Sequence, residues 1–174
     1  EAVALILDQT GKFIDLSHIP PDDTEVYDMI NQGQARGVFL LQSPAQLKMA
    51  QRLMSRNIRD LAYQVALIRP GVGVQGSSVS SFVQRYRYDA EWEYDHELER
   101  RSLDRGYGII IWQEQVVQLI SDVSGMTQAD ADEMRRAFSK RNNQGIISAY
   151  WDRFRDGAIQ RGVHQDIARK IFSK

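Results

Sequence analysis

YGIIIWQEQVVQLISDVSGMTQADADEMRRAFSK, Tyr107 to Lys140, is the stretch on which the fold turns. Gly106 and Gly108 flank Tyr107 and mark a turn, and Ile109 to Ile111 lead out of it. From Gln113 onward Val116, Leu119, Ile120 and Val123 recur at the spacing of one helix face, which predicts a helix ending near Ser124-Gly125. Thr127 with Asp130 three residues later resembles a capping box, aspartate replacing the usual glutamate, and opens a helix through Arg135 and Arg136 to about Lys140. Two helices joined by a glycine and a cap describe a helical array.

The flanking sequence extends the pattern. Two further helices are expected, roughly Gly145 to Gln160 and His164 to Phe172, separated by Gly162. Upstream, Asp22 or Asp23 caps a helix to about Asn31 with Val26, Met29 and Ile30 on one face, and Gly33 ends it. GVFLL, Gly37 to Leu41, reads as a short buried run. Ser43-Pro44 starts a helix with Leu47, Ala50, Leu53 and Met54 at core spacing. Asn57 caps another, with Ile58, Leu61, Ala62, Val65 and Ile68 turned inward, and Arg69-Pro70-Gly71 stops it. Gly71 to Ser81 reads as a loop ahead of a short helix towards Arg87, and the charge-dense Asp89 to Arg105 as mostly surface. The first 15 residues, EAVALILDQTGKFID, read as two short strands around a glycine turn. The expected fold class is therefore mainly α, many helices with a short N-terminal β element.

Composition bounds the function. The chain has 174 residues, ordinary globular composition, and no cysteine, which removes disulfides and thiolate metal sites. No apolar run reaches the roughly 20 residues that span a bilayer, and the acidic, apolar start is unlike a signal peptide. The start at Glu1 without methionine reads as a processed chain or, the preferred reading, as a piece excised from a longer one. Net charge is −1, yet Arg135 to Lys174 hold ten Lys/Arg against three Asp/Glu, and the first 134 residues twelve against twenty. A basic end on a near-neutral chain is either an anion site or a solvated helical surface.

Three motifs are candidates for chemistry. In DEMRRAFSKR, Asp132 to Arg141, Arg136 and Lys140 share a helix face, and Arg135 points about 100° round from Arg136. Together they suit a triphosphate, as forked guanidiniums and a point ammonium do; the plainer reading is an Asp132–Arg136 ion pair on a wet face. In IRPG, Ile68 to Gly71, proline holds Arg69 extended at a helix end, where it either points into a cleft or lies on the surface. Tyr107 and Trp112 are either base-stacking rings or core aromatics. His18, His96 and His164 lack metal-ligand spacing, and there is no phosphate-binding glycine loop, nucleophile elbow or strand-borne carboxylate pair for two-metal catalysis.

Taken in order, DLSHIPPDDTEVYDMINQGQARGVFLLQS, DLAYQVALIRPG and the Tyr107–Lys140 stretch resemble the catalytic alpha subunit of bacterial DNA polymerase III, a C-family DNA polymerase, from about Ile14 to Phe172. The resemblance implies the palm edge or a connector over 1–20 and a helical fingers domain over 21–174. It implies that Arg135 and Arg136 contact the triphosphate of an incoming deoxynucleotide, with Lys140 nearby and Arg69 lining the cleft. It places Tyr107, Trp112, Gln113 and Glu114 near template and base. The implied partners are primer-template DNA, deoxynucleotide triphosphates and the palm and other domains of the parent polymerase, in the cytoplasm and with no membrane. Catalytic aspartates and their Mg2+ would belong to the palm, so this chain holds no catalytic or metal residue and is expected to be inactive alone. The family usually has Gln where Leu40 stands, Glu at Gln42, Tyr or Phe at Trp112, and proline at Val72. VQGSSVSSFVQRYR, with Gln75-Gly76 and its basic end, looks more like the error-prone branch than the replicative one. The expected function is nucleotide and template binding during replication or error-prone repair synthesis. The alternative is a catalytically degenerate helical interaction module of the same family.

Overall fold

The computed structural model describes residues 1–68, 76–138 and 144–174, and of 76, 77, 144 and 146 the backbone alone. Among the described residues there are ten α-helices and no strand, so the mainly helical reading holds and the N-terminal β element does not. Ala2–Thr10 is helix α1, closed by Gly11 at φ 67 with its amide donating to the Leu7 carbonyl. The glycine read as a hairpin turn is a left-handed helix cap, and AVALIL, a short run ambiguous between strand and helix, follows the helix preference of Ala and Leu. The chain divides into two compact units, Glu1–Gln64 and Val65–Lys174.

In the first unit, α2 (Thr24–Asn31) is capped by the Asp23 side chain, which accepts from the Glu25 amide at 3.0 Å. Its buried residues are Tyr27, Ile30 and Asn31, and Val26 is exposed, which corrects the expected face. Helix α3 (Pro44–Leu53) starts as predicted, the Ser43 hydroxyl accepting from the Gln46 amide. Gln46, Met49, Ala50 and Leu53 are buried, whereas Leu47 is half-buried and Met54 is an exposed left-handed cap. Helix α4 (Ile58–Leu67) is capped by Asn57, which accepts from the Asp60 amide. Asp60, Tyr63 and Gln64 are fully or nearly fully buried, while Ile58 is 64% exposed and Leu61 and Ala62 are not buried.

A polar chain explains the altered faces. The Asn31 amide accepts from the Ser55 amide at 3.0 Å and donates to the Ser55 carbonyl at 2.9 Å. The Ser55 hydroxyl donates to the Gln64 Oε1 at 3.1 Å, and Asp60 accepts from the Arg56 amide at 2.9 Å. Hydrogen bonds offset the cost of burying these groups, so helix faces that hydropathy would turn outward point inward. GVFLL also departs from expectation: only Leu41 is buried, and Phe39 (85%) and Leu40 (54%) are exposed. The segment is two tight turns, with the Val38 amide on Ala35 and the Leu41 amide on Val38.

The second unit holds α5 (Gly76–Tyr88), α6 (Arg100–Leu103), α7 (Gln113–Ser124), α8 (Gln128–Phe138), α9 (Gln144–Gln160) and α10 (Gln165–Phe172). Residues 76–81, expected in a loop, are the first turns of α5. The predicted Thr127–Asp130 cap forms, the Thr127 hydroxyl accepting from the Asp130 amide and donating to its carboxylate. Helix α7 is central and packs on α6, α8 and α9, with α10 laid on α9. Leu103, Leu119, Ile120, Val123, Met134, Phe154, Val163 and Ile171 form the core. The Phe172 ring lies 5.2–5.5 Å from Trp151, Phe154 and Phe138, in the tilted and edge-on geometries aromatic rings prefer.

The charge-dense segment is not all surface. Glu99, Ser102 and Leu103 are buried, and Lys170 and Lys174, at and just beyond the end of α10, reach Asp95, with Lys174 also on Glu99. Burial alone would raise the Asp95 carboxyl, but hydrogen bonds and charge from the two lysines hold it below its ordinary value of 3.8. A carboxyl depressed in the folded state contributes stability that is complete above its unfolded value and is lost as pH falls through the folded one. Thermal unfolding followed from pH 6 to pH 3 is therefore expected to show a loss of stability below about pH 4 that is smaller in Asp95→Asn; equal slopes in the two proteins would refute this role.

Candidate functional site

Helix α8 presents two adjacent arginines in its last turn, where cations meet the negative end of the helix dipole. Both turn back onto one carboxylate. Arg135 Nε donates to Asp132 Oδ1 at 2.9 Å, and Arg136 donates from Nε to Oδ2 at 2.9 Å and from Nη2 to the same oxygen. The spacings are i, i+3 and i, i+4, so the helix itself makes the meeting possible. Hydrogen bonds from Arg136 first and Arg135 second hold the Asp132 carboxyl below the ordinary carboxylate range, and Asp132 in turn raises the Arg136 guanidinium. Arg135 is 22% exposed and Arg136 69%. The ion pair allowed by the spacing is therefore formed, doubled, and leaves one positive charge in excess over the three groups. Lys140 and Arg69, the other two residues expected to meet the nucleotide, lie outside the described residues.

Tyr107 sits in a separate ring cluster. It adopts a left-handed conformation at φ 54, and its ring meets Phe82 at 5.7 Å and Tyr86 at 5.1 Å, both edge-on. Its carbonyl accepts from Arg85 Nη1 at 2.6 Å, and the Arg85 guanidinium lies 5.2 Å from the Trp92 ring centre. Burial lowers the Arg85 pKa. Gly108, at φ 77, is required by that packing, since a Cβ there would lie 2.5 Å from the Trp92 ring. A shallow cleft of about 420 Å³ opens beside Arg85, Asp89, Trp92, Glu93 and Tyr107.

Trp112 is the half-buried residue before α7, and Gln113 and Glu114 are exposed in the first turn. The residue organising this corner is Gln115. Its Oε1 accepts from the Ile111 and Trp112 amides at 2.6 and 3.0 Å, and its Nε2 donates to the Ser102 carbonyl at 3.1 Å. Glutamine at the third helical position reaching back to the cap is a capping-box signal readable in the sequence. Asp132 was legible in the same way, three and four residues before two arginines. Among the described residues no three carboxylate or imidazole groups gather as a metal site would need, and no helix is long and apolar enough to cross a membrane.

Comparison with known proteins gives a consistent result. The family model of the bacterial DNA polymerase III alpha subunit finger domain matches residues 1–162. An error-prone DNA polymerase of Burkholderia mallei is 38% identical over 169 residues, covering 94% of this chain and 16% of the relative. Those of Rhodopirellula baltica and Bordetella parapertussis are 34% and 35% identical, over 97% and 98% of this chain and 15% and 16% of theirs. The chain thus spans about one-sixth of the length of the curated relatives it matches.

Proposed function

The chain belongs to the bacterial DNA polymerase III alpha subunit finger-domain family, and from that premise we propose that it is the lobe of an error-prone DNA polymerase that grips the incoming deoxynucleotide triphosphate and the primer-template. The observation that carries this reading is the paired guanidiniums of Arg135 and Arg136 on one helix end, both held by the Asp132 carboxylate. In this reading the lobe closes over the nucleotide. Arg135 and Arg136 then offset charge that grows on the triphosphate and the departing pyrophosphate as the phosphoryl group transfers. Lys140 and Arg69 join them on the strength of the family resemblance. Trp112, with Gln113 and Glu114 beside it on the first turn of α7, lies near template and base, as does Tyr107 in its own cluster with Phe82 and Tyr86. Residues 1–20 connect to the palm edge, the palm carries Mg2+, and the working enzyme is cytoplasmic.

Arg136→Ala in the full-length polymerase tests the assignment. Arg136 is largely exposed, so the fold is expected to survive, while the nucleotide KM rises or kcat falls by roughly tenfold or more. Wild-type steady-state kinetics with an intact far-ultraviolet spectrum would remove Arg136 from the site. The alternative, a catalytically degenerate interaction module, would instead show as a full-length protein that has no polymerase activity even without substitution.

A further inference from the structure

Asp132 is an awkward neighbour for a triphosphate site, because it is a carboxylate placed where a polyanion is meant to bind. Glu133 follows it, and the four side chains Asp132, Glu133, Arg135 and Arg136 sum to zero charge. By charge alone, Asp132 should weaken the site. The geometry gives it a different part. Each of its two oxygens takes the Nε edge of one guanidinium. A guanidinium has five N–H donors. Arg135 spends one on Asp132 and Arg136 spends two, and neither makes another hydrogen bond among the described residues. The remaining N–H groups of both forks are thus uncommitted, those of Arg136 on a side chain 69% exposed and those of Arg135 on one 22% exposed. Two long side chains that would otherwise sample many rotamers are pinned side by side before any ligand arrives.

We propose that Asp132 is the positioning residue of the triphosphate site: one carboxylate clamps the Nε edges of Arg135 and Arg136 and so fixes the two guanidiniums to receive a polyphosphate with their remaining donors. The proposal rests on the reading of Arg135 and Arg136 given above. The clamp removes in advance the side-chain entropy that binding would otherwise cost. It also suits a partner with several anionic oxygens over one with a single charge, because two forks held together present a wide donor set.

The two accounts of Asp132 differ in sign. Asp132→Asn keeps the side-chain shape and removes one negative charge. It leaves a single acceptor oxygen and turns an NH2 donor toward the second arginine. Simple charge competition therefore predicts tighter nucleotide binding, and the clamp predicts weaker binding. In the full-length polymerase the clamp gives a kcat/KM for nucleotide about tenfold lower in Asp132→Asn, with part of the loss recovered by Asp132→Glu. Placed on an Arg135→Ala/Arg136→Ala background, Asp132→Asn is expected to add nothing, since residues acting through one another are not additive. A kcat/KM equal to or above wild type in Asp132→Asn would overturn the clamp. So would a loss that persists undiminished on the double-alanine background, which would mark Asp132 as a structural residue of α8. If instead the double-alanine variant itself matches wild type, the arginine site is wrong and the clamp falls with it.

Discussion

Replacing Gly157 with alanine is expected to lower the thermal unfolding midpoint by roughly 10 °C, although alanine is the better helix former. Gly157 lies within α9. A Cβ built on it would lie 2.0 Å from the carbonyl oxygen of Ser124 and 3.0 Å from its carbonyl carbon. The obstacle is backbone, so no rotamer change relieves it. Ser124 is the last residue of α7, and its own side chain is already committed, donating to the Ile120 carbonyl at 2.7 Å. The next residue, Gly125, caps the helix at φ 73. Helix α9 must therefore move away from α7 at the core formed by Leu119, Val123, Phe154 and Ala158. Overpacking of this kind costs about 1–3 kcal/mol or more, against about 1 kcal/mol gained from helix propensity. A backbone collision puts the cost at the upper end, and for a unit of this size about 2 kcal/mol shifts the midpoint by roughly 10 °C. Gly145, in the same helix with nothing within 4 Å of its would-be Cβ, is the control: its alanine variant is expected to melt at or slightly above wild type. A Gly157→Ala variant as stable as that control would refute the close approach of the two helices.

Glu99→Ala is expected to cost about 3 kcal/mol, the second large effect. The side chain is fully buried. One oxygen accepts from the amides of Asp95 at 2.7 Å and His96 at 3.3 Å, and the other takes the Lys174 ammonium. Alanine orphans two amides, removes one of the two carboxylates that hold Lys174, and leaves a void. Breaking one side of a buried ion pair is the costly way to alter it. A double-mutant cycle separates the parts. Lys174→Met alone should cost less than Glu99→Ala, because Lys174 is about a quarter exposed and the two amides keep their acceptor. Equal losses for the two single variants would assign the whole effect to the ion pair and none to the turn that Glu99 closes.

What could be read in the sequence was local. The caps at Asp23, Ser43, Asn57 and Thr127 form as expected, as do the ends of α7 at Gly125 and of α9 before Gly162, because each depends on residues within about four positions of one another. The α7 core stripe holds for Leu119, Ile120 and Val123 for the same reason. The Asp132–Arg136 pair was equally legible, since helix geometry alone brings i and i+4 together. At the N-terminus local rules favoured a strand pair and the chain formed a helix, since a short apolar run with a glycine after it satisfies both patterns.

The sequence by itself therefore determined helices α2 to α4 and α7 to α10, the caps named above and the arginine pair on α8. Tertiary structure decided which faces are buried and which polar groups lie inside. Asn31 finds Ser55 24 residues away, Lys174 finds Glu99 75 residues away, and Gly157 admits the end of α7. Hydropathy ranks Asn, Gln, Glu and Lys as surface residues because it prices each as though it stayed in water. Only the fold supplies the distant partners whose hydrogen bonds offset the desolvation, and with them the inward direction of those side chains.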